Sequence, residues 1–235
     1  MNSPTIICPK LPPFAAVDVR EVEPGLETGA PAADLRAVRR AFADLPGCAL
    51  GQSWRTEAEA DFAPATVWTG WRDETLLVFA ELEDADIFSF ATHPNQRLWE
   101  LGDALEIFLR PAGQPAYSEL QVAPNNQRLQ LRYASADGVI QARKTNSLAH
   151  ALVPDIAFTS QTWVLPGTRS WQALVEIPAA SVQVRSGPLP GSQWHFSFCR
   201  YDYTRGRSEP VVSSTSALSQ PDFHRQAEWG VMNFI

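Results

Sequence analysis

The chain has 235 residues, enough for one large domain or two small ones, and 45% of them are hydrophobic, which provides a core and excludes wholesale disorder. Charged residues make up 19% of the chain and the net charge is −7, which argues against a nucleic-acid backbone or an anionic membrane surface as the main partner. Eight Trp and 19 Pro favour many short strands joined by turns.

The first 30 residues are rich in Pro and Gly and predict an extended lead-in with one strand from Ala15 to Val22. They lack the basic n-region and the apolar h-region of a secretory signal. No stretch of the sequence approaches the roughly 18 apolar residues of a membrane span. By default we therefore expect a cytoplasmic protein with no membrane span.

Residues 32–45 carry the clearest helical pattern in the chain. Leu35, Val38, Phe42 and Leu45 recur at helical spacing, and Pro46-Gly47 ends the pattern. The sequence predicts a helix over 32–45 that packs on a sheet. We expect residues 1–47 to form an N-terminal extension and residues 48–235 to form a single domain.

From residue 50 onward the hydrophobic period changes to two, which is typical of strands. Arg72-Asp73-Glu74 predicts a hairpin turn, and Asp137-Gly138 predicts a second one. We expect an all-β, antiparallel, jelly-roll-like β-sandwich with one N-terminal amphipathic helix and a short helix after Pro178. The predicted strands are Ala65 to Trp71, Thr75 to Glu83, Ala104 to Leu109, Ala116 to Ala123, Arg128 to Ala134, Val139 to Lys144, Trp171 to Ile177, Trp194 to Tyr203 and Trp229 to Phe234.

The strand from Ala104 to Leu109 contains one carboxylate. Because side chains alternate along a strand, Glu106 points away from the face that holds Leu105 and Ile107. A carboxylate in so apolar a strand needs partners if it is buried. Glu106 is therefore either an acceptor that faces a ligand or a rim or structural hydrogen-bonding group.

The next strand presents Tyr117, Glu119 and Gln121 on one face. Together with Glu106 they would form a cluster of carboxylates and an amide, which suits the hydroxyl groups of a sugar. Trp99 would add a flat apolar wall, unless its ring belongs to the core.

Three other side chains have two interpretations each. Arg200 either reaches this pocket and pairs with Glu119 or forms an internal ion pair. His224 either hydrogen-bonds a sugar or makes a structural loop contact. Asp103 or Glu119 could join Glu106 as the carboxylate pair of a glycoside hydrolase.

Residues 66–78, TVWTGWRDETLLV, resemble the strand–turn–strand of family 9 carbohydrate-binding modules. Residues 99–108, WELGDALEIF, are similar to the W-E-x-D-x-V-E-I-F signature of that family, with one extra residue between Trp and Asp. The resemblance covers roughly residues 48 to 235, and related sandwiches are grouped as DOMON-like.

The resemblance implies a β-sandwich that often carries structural calcium, and a sugar held between two Trp side chains. By position, Trp99 matches the first of these Trp and Glu106 matches a ligand-binding Glu. Gln121 falls near a family Arg, Phe223 takes the place of the second Trp, and Gln220 that of a ligand-binding Asn. The resemblance does not assign the calcium ligands.

The expected function is non-catalytic binding of a mono- or oligosaccharide, linked to carbohydrate catabolism and to a carbohydrate-active enzyme as partner. The alternatives are an interaction module with a decayed sugar site and a hydrolase that uses Glu106 and Glu119. A haem-binding DOMON domain is disfavoured because Met232 is the one Met beyond the initiator. The candidate binding residues are Trp99, Asp103, Glu106, Tyr117, Glu119, Gln121, Arg200, Gln220, Phe223 and His224.

Overall fold

The computed structural model describes residues 3–14, 34–182 and 189–235. It confirms a β-sandwich, in which the described residues form twelve strands and two α-helices. The helices are α1 (Leu35–Phe42) and α2 (Ala136–Thr145). The strands are β1 (Thr5–Cys8), β2 (Cys48–Ala49), β3 (Ala65–Arg72), β4 (Thr75–Glu83), β5 (Ala104–Pro111), β6 (Tyr117–Val122), β7 (Arg128–Tyr133), β8 (Thr159–Val164), β9 (Ser170–Pro178), β10 (Gln193–Asp202), β11 (Val211–Ser214) and β12 (Gly230–Phe234).

The strands form two sheets. The larger sheet has the order β1-β12-β10-β5-β6-β7, with β11 also paired to β10, and the smaller sheet has the order β2-β3-β4-β9-β8. Among the paired strands of the described residues, β1 and β12 run parallel and the other pairs are antiparallel. The predicted hairpin between β3 and β4 is confirmed, with positive φ at Asp73 and Glu74 as a two-residue turn requires.

The main core lies between the two sheets. Leu105 and Ile107 of the larger sheet and Val78 and Val175 of the smaller sheet belong to one fully buried cluster. Alternation along β4 and β5 produces this cluster, because every second side chain points to the same face. Burial of these apolar side chains is the main force that holds the sheets together.

Helix α1 covers the outer face of the smaller sheet. Val38 and Phe42 are buried against Leu77 and Phe79 of β4, which point away from the main core. The helix begins after Asp34, whose side chain accepts a hydrogen bond from the backbone N–H of Arg36. In the structure this helix, Leu35–Phe42, thus packs on the smaller sheet. Among the described residues, no helix has the length and apolar character needed to cross a membrane.

The outer face of the larger sheet carries a second apolar cluster. Phe108, Tyr117 and Leu131 point to this side and are buried under α2 and under the loop that contains Phe223. These side chains alternate with those of the main core, so β5, β6 and β7 are buried on both faces. This outer cluster surrounds the candidate site.

The predicted strand from Val139 to Lys144 is wrong, because this segment lies in α2. The Ser135 side chain accepts a hydrogen bond from the backbone N–H of Asp137, and Asn146 ends the helix in the left-handed conformation. Asp137-Gly138 therefore lies in the first turn of a helix, not in a hairpin.

Smaller differences concern four strands that were not predicted and one short helix. Strands β1, β2, β8 and β11 were not predicted, since they are short or lack apolar alternation. The short helix predicted after Pro178 is a 3₁₀ turn, Ala179–Ser181. The strand predicted from Ala15 to Val22 lies outside the described residues.

Candidate functional site

A cavity of about 340 Å³ opens on the outer face of the larger sheet. Its floor comes from β5, β6, β7 and β10, and its sides come from α2, from the turn Leu98–Glu100 and from the loop at residues 221–224. The side chains that line it are Arg97, Trp99, Glu100, Glu106, Glu119, Tyr133, Val139, Ala142, Arg143, Asn146, Leu148, Tyr201, Pro221, Asp222, Phe223 and His224.

Two carboxyl groups lie on the floor of the cavity, and one buried amide holds them together. Glu106 on β5 lies directly opposite Gln121 on β6, and Glu119 lies two residues before Gln121 on the same face. Gln121 Nε2 donates to Glu106 Oε1 at 2.5 Å and to Glu119 Oε1 at 2.6 Å. All three side chains are buried. The structure thus brings together the carboxylates and the amide that the strand pattern predicts on one face.

The two carboxyl groups have raised pKa values. Burial raises the pKa of Glu106 well above its usual range, and the nearby charge of Glu119 raises it further. Burial also raises the pKa of Glu119, to about 7. Since like charges this close resist joint ionisation, the pair retains a proton near neutral pH.

His224 links Tyr117 to the carboxylate pair. The Tyr117 hydroxyl lies 2.9 Å from His224 Nδ1, and His224 Nε2 lies 3.5 Å from Glu119 Oε2, too far for a strong hydrogen bond. Burial lowers the pKa of His224 to about 4, and Arg143 lowers it further, so the imidazole is neutral at pH 7. His224 therefore makes a structural contact with Tyr117 and also lines the cavity.

Aromatic side chains form much of the wall. Trp99 is half-buried in the turn Leu98–Glu100, with the Arg97 guanidinium 5.9 Å from its ring centre. Phe223 is 5% exposed, and its ring packs edge-on against Tyr201 at 5.5 Å. Tyr133 stacks on Tyr117 at 4.9 Å. Trp99 and Phe223 both line the cavity, as the resemblance implies, but most of the Phe223 ring belongs to the outer cluster.

Helix α2 supplies the side of the cavity that the sequence analysis missed. Arg143 donates two hydrogen bonds to the Asp222 carboxylate, the shorter at 2.7 Å, and so joins α2 to the loop that carries Phe223. Arg97 donates to the side chain and the backbone carbonyl of Asn146. The signals for this helix were Ser135 and Asn146 at its two ends.

Tyr133 and Tyr201 were also missed, although cross-strand pairing could have found them. Tyr133 lies directly opposite Tyr117. Tyr201 lies two residues beyond Cys199, which pairs with Glu106. Both therefore fall on the face of the carboxylate pair.

The structure does not bring Asp103, Arg200 or Gln220 to the cavity. The Arg200 side chain points toward the smaller sheet, where it pairs with Asp84 at 3.0 Å and with Asp202 at 3.2 Å. The alternative pairing of Arg200 with Glu119 is therefore wrong, since Arg200 alternates with Cys199 and Tyr201 and lies on the opposite face.

Asp103 accepts hydrogen bonds from the backbone N–H groups of Phe88 and Tyr203, at 2.7 and 2.8 Å. Gln220 is exposed and does not line the cavity. Both side chains therefore lie away from the two carboxylates of the floor.

Among the described residues, Asp84, Asp103 and Asp202 form the one group of carboxylates close enough to hold a metal ion. Both oxygens of Asp84 and both of Asp103 already accept hydrogen bonds, and Arg200 supplies a positive charge between Asp84 and Asp202. Burial, and then the charge of Asp84, raise the pKa of Asp103 to about 8. Calcium prefers six to eight free oxygen ligands. These residues therefore do not fit the structural calcium that the resemblance implies.

No family model matches this sequence, and no curated protein matches it. Solved structures do match it. A "putative carbohydrate-binding protein" from Bacteroides uniformis ATCC 8492 is 16% identical, with a TM-score of 0.73 and with 100% of each chain covered.

A family 9 carbohydrate-binding module from Caldicellulosiruptor kristjanssonii also matches in two complexes. In the complex with cellotriose it is 15% identical with a TM-score of 0.57, and 98% of this chain and 93% of that chain are covered. In the complex with glucose the values are 14% and 0.56, with 99% and 96% covered. At such low identity the likeness concerns the fold. The chain has the β-sandwich fold of family 9 carbohydrate-binding modules.

Proposed function

We propose that this protein binds a mono- or oligosaccharide without cleaving it, in the cavity on the outer face of its larger sheet. We further propose that binding serves carbohydrate catabolism and that a carbohydrate-active enzyme is the partner. The proposal is supported by structural neighbours that include a module in complex with cellotriose and with glucose.

The observation that carries the proposal is the pair of carboxyl groups, Glu106 and Glu119, on the cavity floor beneath aromatic walls. Sugar hydroxyls donate hydrogen bonds, so two carboxyl groups on the floor suit several of them. Trp99 offers a half-exposed ring to the C–H face of a sugar. A cavity of about 340 Å³ accommodates a ligand of this size.

The arrangement of the carboxylates disfavours hydrolysis. A glycoside hydrolase places its two carboxyl groups on either side of the scissile bond, about 5 Å or more apart, with the sugar between them. Glu106 and Glu119 instead lie side by side on one sheet, and the amide of Gln121 fills the space between them. A substrate would therefore contact both from the same side.

The proposal is tested by calorimetric titration of the protein with a panel of mono- and oligosaccharides, together with an assay for released reducing sugar. We expect binding without cleavage over hours. The Glu106→Gln variant should bind more weakly, because it removes one of the two carboxyl groups of the floor, and a hydrogen bond to such a group is worth roughly 0.5–3 kcal/mol. The exposed Glu83 lies on the other sheet, so Glu83→Gln is the matched control and should bind as wild type does.

Two outcomes would contradict the proposal. Release of reducing sugar by wild type, lost in Glu106→Gln while binding persists, would identify a hydrolase. If no sugar of the panel binds or is cleaved, the interaction module with a decayed site would be the better interpretation.

A further inference from the structure

The carboxylate pair on the cavity floor has no cation of its own. Two arginines line the same cavity, but Arg97 pairs with Glu100 at 2.9 Å and Arg143 pairs with Asp222 at 2.7 Å. Within each of these two ion pairs, the positive charge of the arginine is balanced by the carboxylate at the side of the cavity. The negative charge that Glu106 and Glu119 share therefore has no ion-pair partner of its own on the floor, although Arg143 is close enough for its charge to act on Glu119.

The floor also lacks free N–H donors. Both N–H groups of the Gln121 amide are used, one for each carboxylate. Among the described residues, buried Glu119 Oε2 and Gln121 Oε1 have no hydrogen-bond partner. His224 Nε2 lies 3.5 Å from Glu119 Oε2, too far for a strong hydrogen bond. Buried acceptors without donors are costly, and a ligand that supplies donors would relieve this cost.

We propose that the ligand is a sugar with a free protonated amine, whose ammonium group binds between Glu106 and Glu119. The inference rests on the proposed sugar-binding function and names the class of sugar.

An ammonium group matches this floor better than a hydroxyl does. It supplies three donors and no acceptor, where the floor offers acceptors and carries negative charge. Its hydrogen bonds to carboxylates are charge-assisted and about twice as strong as neutral ones. Tyr133 and Tyr201 line the same cavity, and the faces of such rings attract cations.

Binding of an ammonium group should release a proton. Burial raises the pKa values of both carboxyl groups, that of Glu119 to about 7, so the empty site retains a proton that the cation replaces. His224 is neutral because burial lowers its pKa to about 4. The other titratable or charged groups around the pair are Arg97, Glu100, Tyr117, Tyr133, Arg143, Cys199, Tyr201 and Asp222.

Burial raises the pKa values of Tyr117, Tyr133, Cys199 and Tyr201, so these groups stay neutral at pH 7. Arg97, Arg143, Glu100 and Asp222 form the ion pairs at the side of the cavity. The released proton would therefore come from the carboxylate pair.

The test compares glucosamine, N-acetylglucosamine and glucose by calorimetric titration at pH 7. The second sugar has the same ring, with its amine converted to a neutral amide. We expect glucosamine to bind at least about 10-fold more tightly than the other two, the equivalent of one charge-assisted hydrogen bond. Titrations in phosphate and in Tris should differ in heat for glucosamine alone, which would report the release of up to about one proton.

The Glu119→Gln variant should lose the preference for glucosamine and the proton release. The exposed Glu83 on the opposite sheet provides the matched control, since Glu83→Gln removes the same charge away from the cavity. If Glu119→Gln does not fold, the selectivity and the proton release of wild type still decide the question.

The outcomes separate the two proposals. If glucose or N-acetylglucosamine binds as tightly as glucosamine, the inference is wrong and the sugar-binding function stands. If glucosamine binds most tightly but releases no proton, the amine does not reach the carboxylate pair and the inference is likewise wrong. If none of the three sugars nor any sugar of the wider panel binds, the proposed function itself fails.

Discussion

Glu119 combines a buried carboxyl group, a shared amide donor and an oxygen without a hydrogen bond among the described residues. A hydrophobic side chain at this position would remove the cost of burying a charge. Residues that break a local rule in this way are expected at functional sites. The position of Glu119 in the cavity is consistent with that expectation.

The raised pKa of Glu119 predicts that stability falls as the pH rises. In the unfolded chain its carboxyl loses the proton near its model value of 4.5, whereas in the folded protein it keeps the proton up to about 7. The folded state therefore binds more protons in this range, and the stabilisation present below pH 4.5 is lost as the pH passes 7. His224 acts in the opposite sense between its folded pKa of about 4 and its model value of 6.5, so the clearest window lies above pH 6.5.

Chemical unfolding at pH 6.5 and pH 8 checks this prediction. Asp103, whose pKa is about 8, and Glu106, whose pKa burial raises well above its usual range, contribute falls of the same sign in wild type. Glu119→Gln should reduce the fall in the free energy of unfolding by an amount on the order of 1 kcal/mol, while Glu83→Gln leaves it unchanged. An unchanged fall in Glu119→Gln would mean that Glu119 ionises normally in the folded protein.

Trp99 and Phe223 should respond differently to truncation. Trp99 is half-buried in a turn, so Trp99→Ala should weaken sugar binding by about 1–3 kcal/mol with a small effect on stability. Phe223 is 5% exposed and packs on Phe108 and Tyr201, so Phe223→Ala should cost about 3–5 kcal/mol of stability. Thermal unfolding and sugar titration of both variants separate the two roles, and equal losses of stability would place Trp99 in the core.

At the scale of the elements, the sequence correctly predicted the strands whose apolar residues alternate. The prediction was wrong for α2, whose helical state depends on capping residues more than on a hydrophobic pattern. Strand β5 follows its alternation, so Glu106 was placed on the correct face. Helix α2 has weak amphipathicity, and among its described residues Val139 is the one that is buried. Its helical state depends on Ser135 and Asn146 at its ends, which a search for hydrophobic periods does not weigh.

Strand alternation alone did not show which residues share a site. Alternation placed Arg200 on the face opposite Tyr201, but it did not show which of these faces holds the cavity. The pairing of β10 with β5 decides this, because it sets Cys199 beside Glu106, so Tyr201 faces the cavity. Arg200 thereby lies beside Leu105 on the inner face. Register between distant strands depends on tertiary packing, so the sequence predicted the carboxylate cluster within β5 and β6 better than its surroundings.

At the scale of the whole molecule, both sheets are covered on their outer faces. Helix α1 closes the outer face of the smaller sheet, where Val38 and Phe42 are fully buried. Helix α2 and the loop at residues 221–224 cover the larger sheet less completely, and the cavity lies between them. The cavity that we propose as the binding site therefore lies where the cover of the larger sheet is incomplete.

The two sheets are also joined by a buried ion-pair cluster at one end of the sandwich. Arg200 belongs to β10 of the larger sheet, and Asp84 directly follows β4 of the smaller sheet. Both side chains are at most 1% exposed. The guanidinium pairs with both the Asp84 and the Asp202 carboxylates from within the chain, so we expect the fold to depend on Arg200 and not on calcium.

Arg200→Met should therefore destabilise the protein by about 3–5 kcal/mol, because it leaves buried carboxylates without their cation. Arg205 pairs with Asp86 near the same end but is 57% exposed, so Arg205→Gln is the matched control and should cost less than about 1 kcal/mol.

Thermal unfolding of wild type should give the same Tm in excess calcium and in excess EDTA. A Tm that rises with calcium and falls with EDTA would show that a metal ion holds this end of the sandwich, since a ligand that binds the folded state stabilises it.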